Sequence, residues 1–217
     1  MAVSLKEKLH QKIEEHRPRT RKLMKDYCDV VVGEITIAQV IGGMRGVKSL
    51  VTDISYLDPQ EGIRYRGYTL PEVFKKLPKP EGAEMPFVEG LYYLLLTGDI
   101  PSDSEVSDLA DEFRKRRILP RYVYEVIDSF PTFSPPMAIF SAAILCMQRE
   151  SFFSKKYQGG ISKFDYWDPT YEDSLNLLAK LPEVASYIYA KLYRDGKRIQ
   201  ANPNLDMGAN FAHMMGI

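Results

Sequence analysis

The chain has 217 residues, of which 45% are hydrophobic and 12% aromatic, and its 29 Lys+Arg balance 29 Asp+Glu. That is enough apolar material for a large domain with a sizeable core, and a balanced surface sets up no global field, so neither nucleic acid nor an anionic membrane is an expected partner. No stretch approaches ~20 consecutive apolar residues, and Cys28 and Cys146 are too few and too far apart for a disulfide framework or a zinc site, so a membrane span and a structural metal are not expected.

Leu5, Leu9 and Ile13 recur every four residues, which predicts an amphipathic helix over residues 4–16. Pro18 is expected to break or restart it, with a second helical stretch from Thr20 to Tyr27. Residues 1–29 thus form a helical arm. Its acidic residues Glu7, Glu14 and Glu15, and the lack of an apolar run, do not fit a secretion signal or an Arg/Ser-rich leader. The expected location is the cytoplasm, or the mitochondrial matrix if the source is eukaryotic. Val30 to Ile41 fits either a strand or a short helix.

Ile41 to Tyr68 is the long segment that does not read as helix. It opens on the turn Gly42-Gly43-Met44-Arg45-Gly46. A β-prone run follows from Leu50 to Leu57, then Asp58-Pro59-Gln60-Glu61-Gly62, then Ile63 to Tyr68. A turn between two β-prone runs predicts a small hairpin near residues 48–67. Arg45, Arg64 and Arg66 lie in or beside glycine-bracketed backbone, a setting in which guanidinium forks and exposed N–H groups can share the oxygens of an anion. The plainer reading of Arg64 and Arg66 is a solvated strand face, or ion pairs with Asp53, Asp58 or Glu61. The glycine turn is not a P-loop, because no Gly-Lys-Ser/Thr follows, and it lacks the strand–helix setting of a dinucleotide fingerprint.

From Thr69 onward the chain reads as helices. Thr69 and Pro71 open a short one that ends near Leu77-Pro78. Lys79 to Met85 reads as an exposed loop. Phe87 to Thr97 is a strongly apolar helix stopped by Gly98. Ser102-Asp103-Ser104-Glu105 is a capping-box pattern for a helix with Val106, Leu109, Ala110 and Phe113 inside. Tyr122 to Phe130 and Met137 to Arg149 follow, the second apolar on most faces and therefore expected to be buried. Glu150 to Pro169, with Gly159-Gly160 at its centre, reads as irregular. Tyr171 to Ala179 and Pro182 to Arg194 read as two helices split at Leu181-Pro182, with Glu172-Asp173 in the first turn of the former. The chain closes on an apolar helical stub, Gly208 to Ile217, whose abrupt end predicts that more protein follows.

Acid–base candidates are sparse. His10 and His16 sit among charges in the first helix and read as surface residues. His213 lies beside Phe211, Met214 and Met215 and reads as a partly buried helix residue. No Ser–His–Asp or Cys–His set assembles at short range, and no metal-ligand spacing occurs.

The stretch GGMRGVKSLVTDISYLDPQEGIRYRGY resembles citrate synthases of the eukaryotic type, and the resemblance continues through LPEVFKKLP, PFVEGLYYLLLTGDIP, FPTFSPPM with SAAI, and YEDSLNLLAKLPEVASYIY. It implies an all-α, multi-helical fold with a large and a small domain, residues 30–217 being the N-terminal part of the large domain. It implies a homodimer that condenses acetyl-CoA with oxaloacetate to give citrate and CoA, with CoA a substrate rather than a bound cofactor. It further implies that Arg45 contacts the 3′-phosphate of CoA, and that Lys163, before Tyr166-Trp167, reaches the same phosphate from the partner subunit. An arginine is usual at that second position, and lysine keeps the charge without the bidentate fork. Pro135-Pro136-Met137 departs from a usual His-Pro-Met. The family's catalytic histidines and aspartate follow an Asn-Phe-x-x-Met-x-Gly block, here Asn210 to Gly216, so the resemblance places no catalytic residue in this chain and implies a fragment inactive alone. Alternatives are a methylcitrate synthase and a non-catalytic helical interaction or CoA-binding subunit.

Overall fold

A computed structural model describes residues 3–47 and 50–217. Ten α-helices, two short 3-10 helices and a three-stranded sheet account for the regular structure of the described residues. Two compact units share the chain, one formed by Met1–Leu77 and Leu91–Ile100, the other by Pro78–Gly90 and Pro101–Ile217.

In the first unit, α1 (Leu5–Tyr27) is a single helix. Ser4 and Glu7 cap it reciprocally, the Glu7 N–H donating to Ser4 Oγ at 3.3 Å and the Ser4 N–H to Glu7 Oε2 at 2.9 Å. Pro18 does not break it as expected. The ring removes only the bond to the Glu14 carbonyl, and no residue of α1 is buried, so that acceptor is not cut off from solvent. Lys12 ties the helix to Asp99 at 3.2 Å. Val30 to Thr36 forms no regular structure, and only α2 (Ile37–Ile41) is helical, started by a Thr36–Gln39 capping box.

The sheet begins later than the apolar run suggests. Strands β1 (Ser55–Asp58) and β2 (Gly62–Tyr65) pair antiparallel with Leu57 opposite Ile63. Asp58 Oδ1 accepts from the N–H groups of Gln60 at 2.8 Å and Glu61 at 2.9 Å and closes the turn. A third strand, β3 (Tyr68–Thr69), adds to β2. Of the span predicted for the hairpin, residues 48 and 49 lie outside the described residues, and Leu50 to Ile54 is irregular. Helix α3 (Leu70–Lys76) has the Thr69–Glu72 capping box. Its Val73, with Leu77 after it, packs on Leu94 of α4 (Val88–Thr97) and makes a small core with half-buried Tyr65 and Tyr68.

The second unit is helical throughout: α5 (Asp103–Arg116), α6 (Arg121–Ser129), α7 (Pro136–Cys146), α8 (Phe152–Gln158), α9 (Trp167–Tyr193) and α10 (Met207–Met215). Helix α9, 27 residues long, is the hub, against which α5, α7, α8 and α10 all pack. Its core with α6 and α7 holds Val123, Ile127, Ile139, Ala143, Val184 and Ile188. The split expected at Pro182 is absent. Buried Ala179 on one side and Val184 and Ile188 on the other hold the helix straight through, so packing outweighs the single backbone bond that proline removes. Helix α7 is not buried all round as expected, because Met137 and Leu145 are mostly exposed, and it ends at Cys146 in a 3-10 turn, Met147–Glu150.

Helix α8 occupies the stretch that reads as irregular. Its start is supplied from α9: Asp173 accepts from the N–H groups of Phe152 at 2.7 Å and Phe153 at 3.0 Å and from the Ser151 hydroxyl at 2.6 Å. Glu172 and Asp173 are therefore not in a first turn. They lie inside α9, with Asp173 capping a neighbouring helix and Glu172 accepting from Arg116 Nη1 at 2.8 Å.

Candidate functional site

Arg45 sits on a turn shaped by what precedes it. After α2, the Gly42 N–H donates back to the Ala38 carbonyl at 2.9 Å and the Met44 N–H to the Gln39 carbonyl at 2.7 Å. Folding back this tightly needs left-handed backbone, found at Gly43, Met44 and Gly46 with φ of 74°, 62° and 76°. Glycine takes that conformation freely, while at Met44 it costs about 1–2 kcal/mol. The Val47 N–H donates to the Met44 carbonyl at 3.1 Å, bringing the chain past the turn with Arg45 at its outer edge. Arg45 is exposed, and among the described residues its guanidinium has no hydrogen-bond or ion-pair partner. The turn therefore presents a full set of donors to solvent.

Arg64 and Arg66 are spoken for. Arg64 pairs with Glu61 and donates to the Gly67 carbonyl at 3.2 Å. Arg66 lies in the turn between β2 and β3, with φ of 49°. Its Nε and Nη2 donate to the Leu95 carbonyl at 2.9 and 2.7 Å, Nη2 also reaches the Leu96 carbonyl at 3.2 Å, and Nη1 pairs with Asp53 at 3.0 Å. Those carbonyls belong to the last turn of α4, where positive charge completes the helix end. The two arginines therefore do not share a strand face.

Lys163 belongs to the second unit and Arg45 to the first. Lys163 opens a 3-10 turn, Lys163–Asp165, that leads into α9 and is capped by Ser162, whose Oγ accepts from the Phe164 N–H at 3.3 Å. Phe153 stands edge-on to Tyr166 with ring centroids 5.2 Å apart, which fixes the root of this turn. Lys163 itself is exposed. His10 and His16 lie exposed on α1, and His213 is half-buried on α10. Among the described residues no group of three His, Cys, Asp or Glu could hold a metal ion.

The sequence reading missed the one carboxyl that is buried among the described residues. Glu89, in the first turn of α4, is 1% exposed, and its Oε2 has no partner among the described residues. Burial pushes its pKa above the ordinary carboxylate range, and the Asp206 carboxylate adds to the shift. The N–H groups of Glu89 and Met207 and the charge of Arg114 pull the other way. The signal was available: a lone acid inside the apolar run FVEGLYYLLL. Beside it lies a cavity of about 260 Å³ whose polar lining includes Glu89, Arg114, Arg117, Glu183, Asp206 and Asn210. That is below the usual range of small-molecule sites, about 300–1,000 Å³.

Residues 43–216 match the family described as "Citrate synthase, C-terminal domain". The chain is 44% identical over 214 residues to citrate synthase 4, mitochondrial, of Arabidopsis thaliana, covering 99% of this chain and 45% of that protein. It is 46% identical over 213 residues to the mitochondrial 2-methylcitrate synthase of Yarrowia lipolytica, covering 98% of this chain and 46% of that one. Among solved structures it resembles citrate synthase from Pyrobaculum aerophilum, with a TM-score of 0.68 at 25% identity over 85% of this chain and 45% of that one. The chain thus spans a little under half the length of these relatives. A family match across most of its residues, with the same helical architecture, makes this chain a member of the citrate synthase family.

Proposed function

We propose that this chain is a CoA-phosphate-binding portion of a citrate synthase, which condenses acetyl-CoA with oxaloacetate to give citrate and CoA. The observation that carries the reading is Arg45: an exposed guanidinium without a partner among the described residues, on a tight glycine turn inside the stretch that matches the family. It suits the 3′-phosphate of CoA, because a planar fork can give two parallel hydrogen bonds to phosphate oxygens. Lys163, exposed on its own turn, is proposed to reach the same phosphate from a second copy of the chain, which makes the homodimer the working form. CoA is a substrate here and not a resident group.

The chemistry needs more than this chain offers. Removing a proton from the methyl of a thioester takes a positioned base, and the enolate oxygen needs donors as charge develops on it. Arg45 and Lys163 can hold the nucleotide end of CoA, but neither is a base. The catalytic set is therefore assigned to the part of such enzymes that this chain does not cover. The mitochondrial relatives favour a mitochondrial setting over a cytoplasmic one.

Calorimetric titration of the chain with CoA and with 3′-dephospho-CoA tests the assignment of Arg45. Arg45→Ala is expected to weaken CoA binding about tenfold and to leave 3′-dephospho-CoA unaffected, since one charge-assisted contact is lost. Equal effects on both ligands would remove Arg45 from the phosphate site. The 217-residue chain alone is expected to release no CoA from acetyl-CoA and oxaloacetate, and robust turnover would place the catalytic set within it.

The Yarrowia lipolytica relative favours a second reading, in which propionyl-CoA is the donor. Both readings need the same phosphate contact, so Arg45 does not separate them. Comparing acetyl-CoA with propionyl-CoA in an enzyme completed by the missing portion does.

A further inference from the structure

A second cavity, of about 610 Å³, opens between the end of α7, the 3-10 turn after it, the start of α8 and the middle of α9. Its size falls in the usual range of small-molecule sites, about 300–1,000 Å³. Leu145, Met147, Phe152 and Leu177 give it an apolar wall, and half-buried Lys180 lines it from α9. The amine of Lys180 is held loosely. Among the described residues its one hydrogen bond is a long donation to the Asn176 carbonyl at 3.4 Å, and no carboxylate forms an ion pair with it. The charged groups around it are engaged elsewhere or unpaired with it. Asp173 is occupied in capping α8. Glu150, in the 3-10 turn, attracts the charged amine from a distance. Arg116 of α5, fixed by Glu172 at 2.8 Å and Asn176 Oδ1 at 3.2 Å, repels it. Lys155 of α8 lies over the Phe152 ring at 5.9 Å.

We propose that Lys180 is an acyl-acceptor site: its Nζ takes an acyl group from a thioester that enters this cavity. The Nζ lone pair attacks the thioester carbonyl carbon, a C–N bond forms, the C–S bond breaks, and the amine proton leaves with the sulfur as a thiol. The products are an amide on Lys180 and a free thiol, so the step balances with no oxidant, reductant or third reactant. Attack needs the neutral amine, and a lysine is activated when an apolar pocket desolvates it. Burial pushes the Lys180 amine below the ordinary lysine range, Glu150 opposes the shift and Arg116 adds to it. Lys115 shows the contrary setting. It is exposed, and its pair with Glu112 at 2.8 Å pushes it above the lysine range and holds it charged. The amide product is uncharged, which suits the apolar wall better than a half-buried ammonium does. The reacting group is the thioester alone, so the site depends neither on Arg45 nor on the nucleotide end of CoA.

Incubation of the 217-residue chain with S-acetyl-N-acetylcysteamine, a thioester without a nucleotide, tests the site, with each lysine followed by peptide mass spectrometry. At neutral pH Lys180 is expected to be acetylated severalfold faster than Lys25 and Lys79, which are exposed. That advantage is expected to shrink as pH rises toward about 10.4, where ordinary lysines also become neutral. A Lys180 rate at neutral pH no greater than that of Lys79 would overturn the proposal. So would an advantage that stays constant with pH, because access alone would then select Lys180. Arg45→Ala is expected to leave the labelling unchanged, so this site and the CoA-phosphate reading fail separately.

Discussion

The segment from Val30 to Ile54 and the α6–α7–α9 core use the same kinds of side chain to opposite ends. In the first, Val31 and Val32 are 80% and 79% exposed, Ile41 is 82% and Val51 91%. In the second, Val123, Ile127, Ile139 and Val184 are all at 0%. Apolar content does not separate the two regions. Spacing does: Val123 with Ile127, Ile139 with Ala143 and Met147, and Val184 with Ile188 each recur four residues apart, so each helix carries a stripe that a neighbouring stripe can cover. Among the described residues no strand pairs with the stretch after Val30 and α2 buries nothing, so its valines and isoleucines stay exposed.

The largest expected effect contrasts matched truncations. Ile127→Ala should cost about 2–5 kcal/mol, from lost transfer energy and the cavity left behind. Val32→Ala should change stability by no more than about 0.5 kcal/mol, since its side chain is already in water. Urea denaturation followed by helical circular dichroism measures both. A Val32→Ala cost near that of Ile127→Ala would mean that the exposed segment is covered within this chain, and the contrast between the regions would fail.

That contrast also explains what could be read from the residues beforehand. The stripe of α5, the helix start at Thr69, the capping box at Ser102 and the tight turn at Gly42 to Gly46 are local signals, and each forms as the residues imply. The misses are places where a distant group decides. Pro18 and Pro182 look like breaks from the chain alone. At Pro18 the freed carbonyl lies on a helix with no buried residue, and at Pro182 buried neighbours on both sides override the proline. Helix α8 lacks a clear stripe and is started by Asp173, 21 residues beyond Phe152. Arg66 reads as a strand residue, but it caps α4, 29 residues later. At the candidate site, Arg45 was legible because glycines bracket it. Glu89 stands out in the sequence only as a lone acid in an apolar run, because its neighbours Asp206 and Met207 arrive from far along the chain.

Arg66 gives the next largest effect and sharpens the contrast from the edge of the exposed region. Its side chain is 15% exposed, and it carries three hydrogen bonds to the end of α4 besides the pair with Asp53. Arg66→Ala should cost about 2–3 kcal/mol, mostly from leaving the Leu95 and Leu96 carbonyls without their charged donor. Arg64→Ala, next to it in β2, loses an exposed pair with Glu61 and a bond to the Gly67 carbonyl, and should cost clearly less than Arg66→Ala. Thermal unfolding of the two variants ranks them. Equal losses would mean that Arg66 is not the tie holding the sheet to α4.

The smallest expected effect uses one motif in both regions. Ser102 with Glu105 and Thr36 with Gln39 make the same capping box, each hydroxyl accepting from the N–H three residues on, at 3.4 and 3.2 Å. Helix α5 has 14 residues, with Val106, Leu109 and Phe113 buried, so fraying its start pulls on packed side chains. Ser102→Ala should therefore cost about 1 kcal/mol of global stability. Helix α2 has five residues and none buried, and a helix that short has little stability of its own to transmit. Thr36→Ala should leave the global transition in place and loosen only the run into Arg45. That loosening is measurable as lower affinity for CoA with unchanged melting. Thr36→Ala lowering the melting temperature as much as Ser102→Ala would show that α2 is part of the cooperative core, and the division drawn between the two regions would have to move.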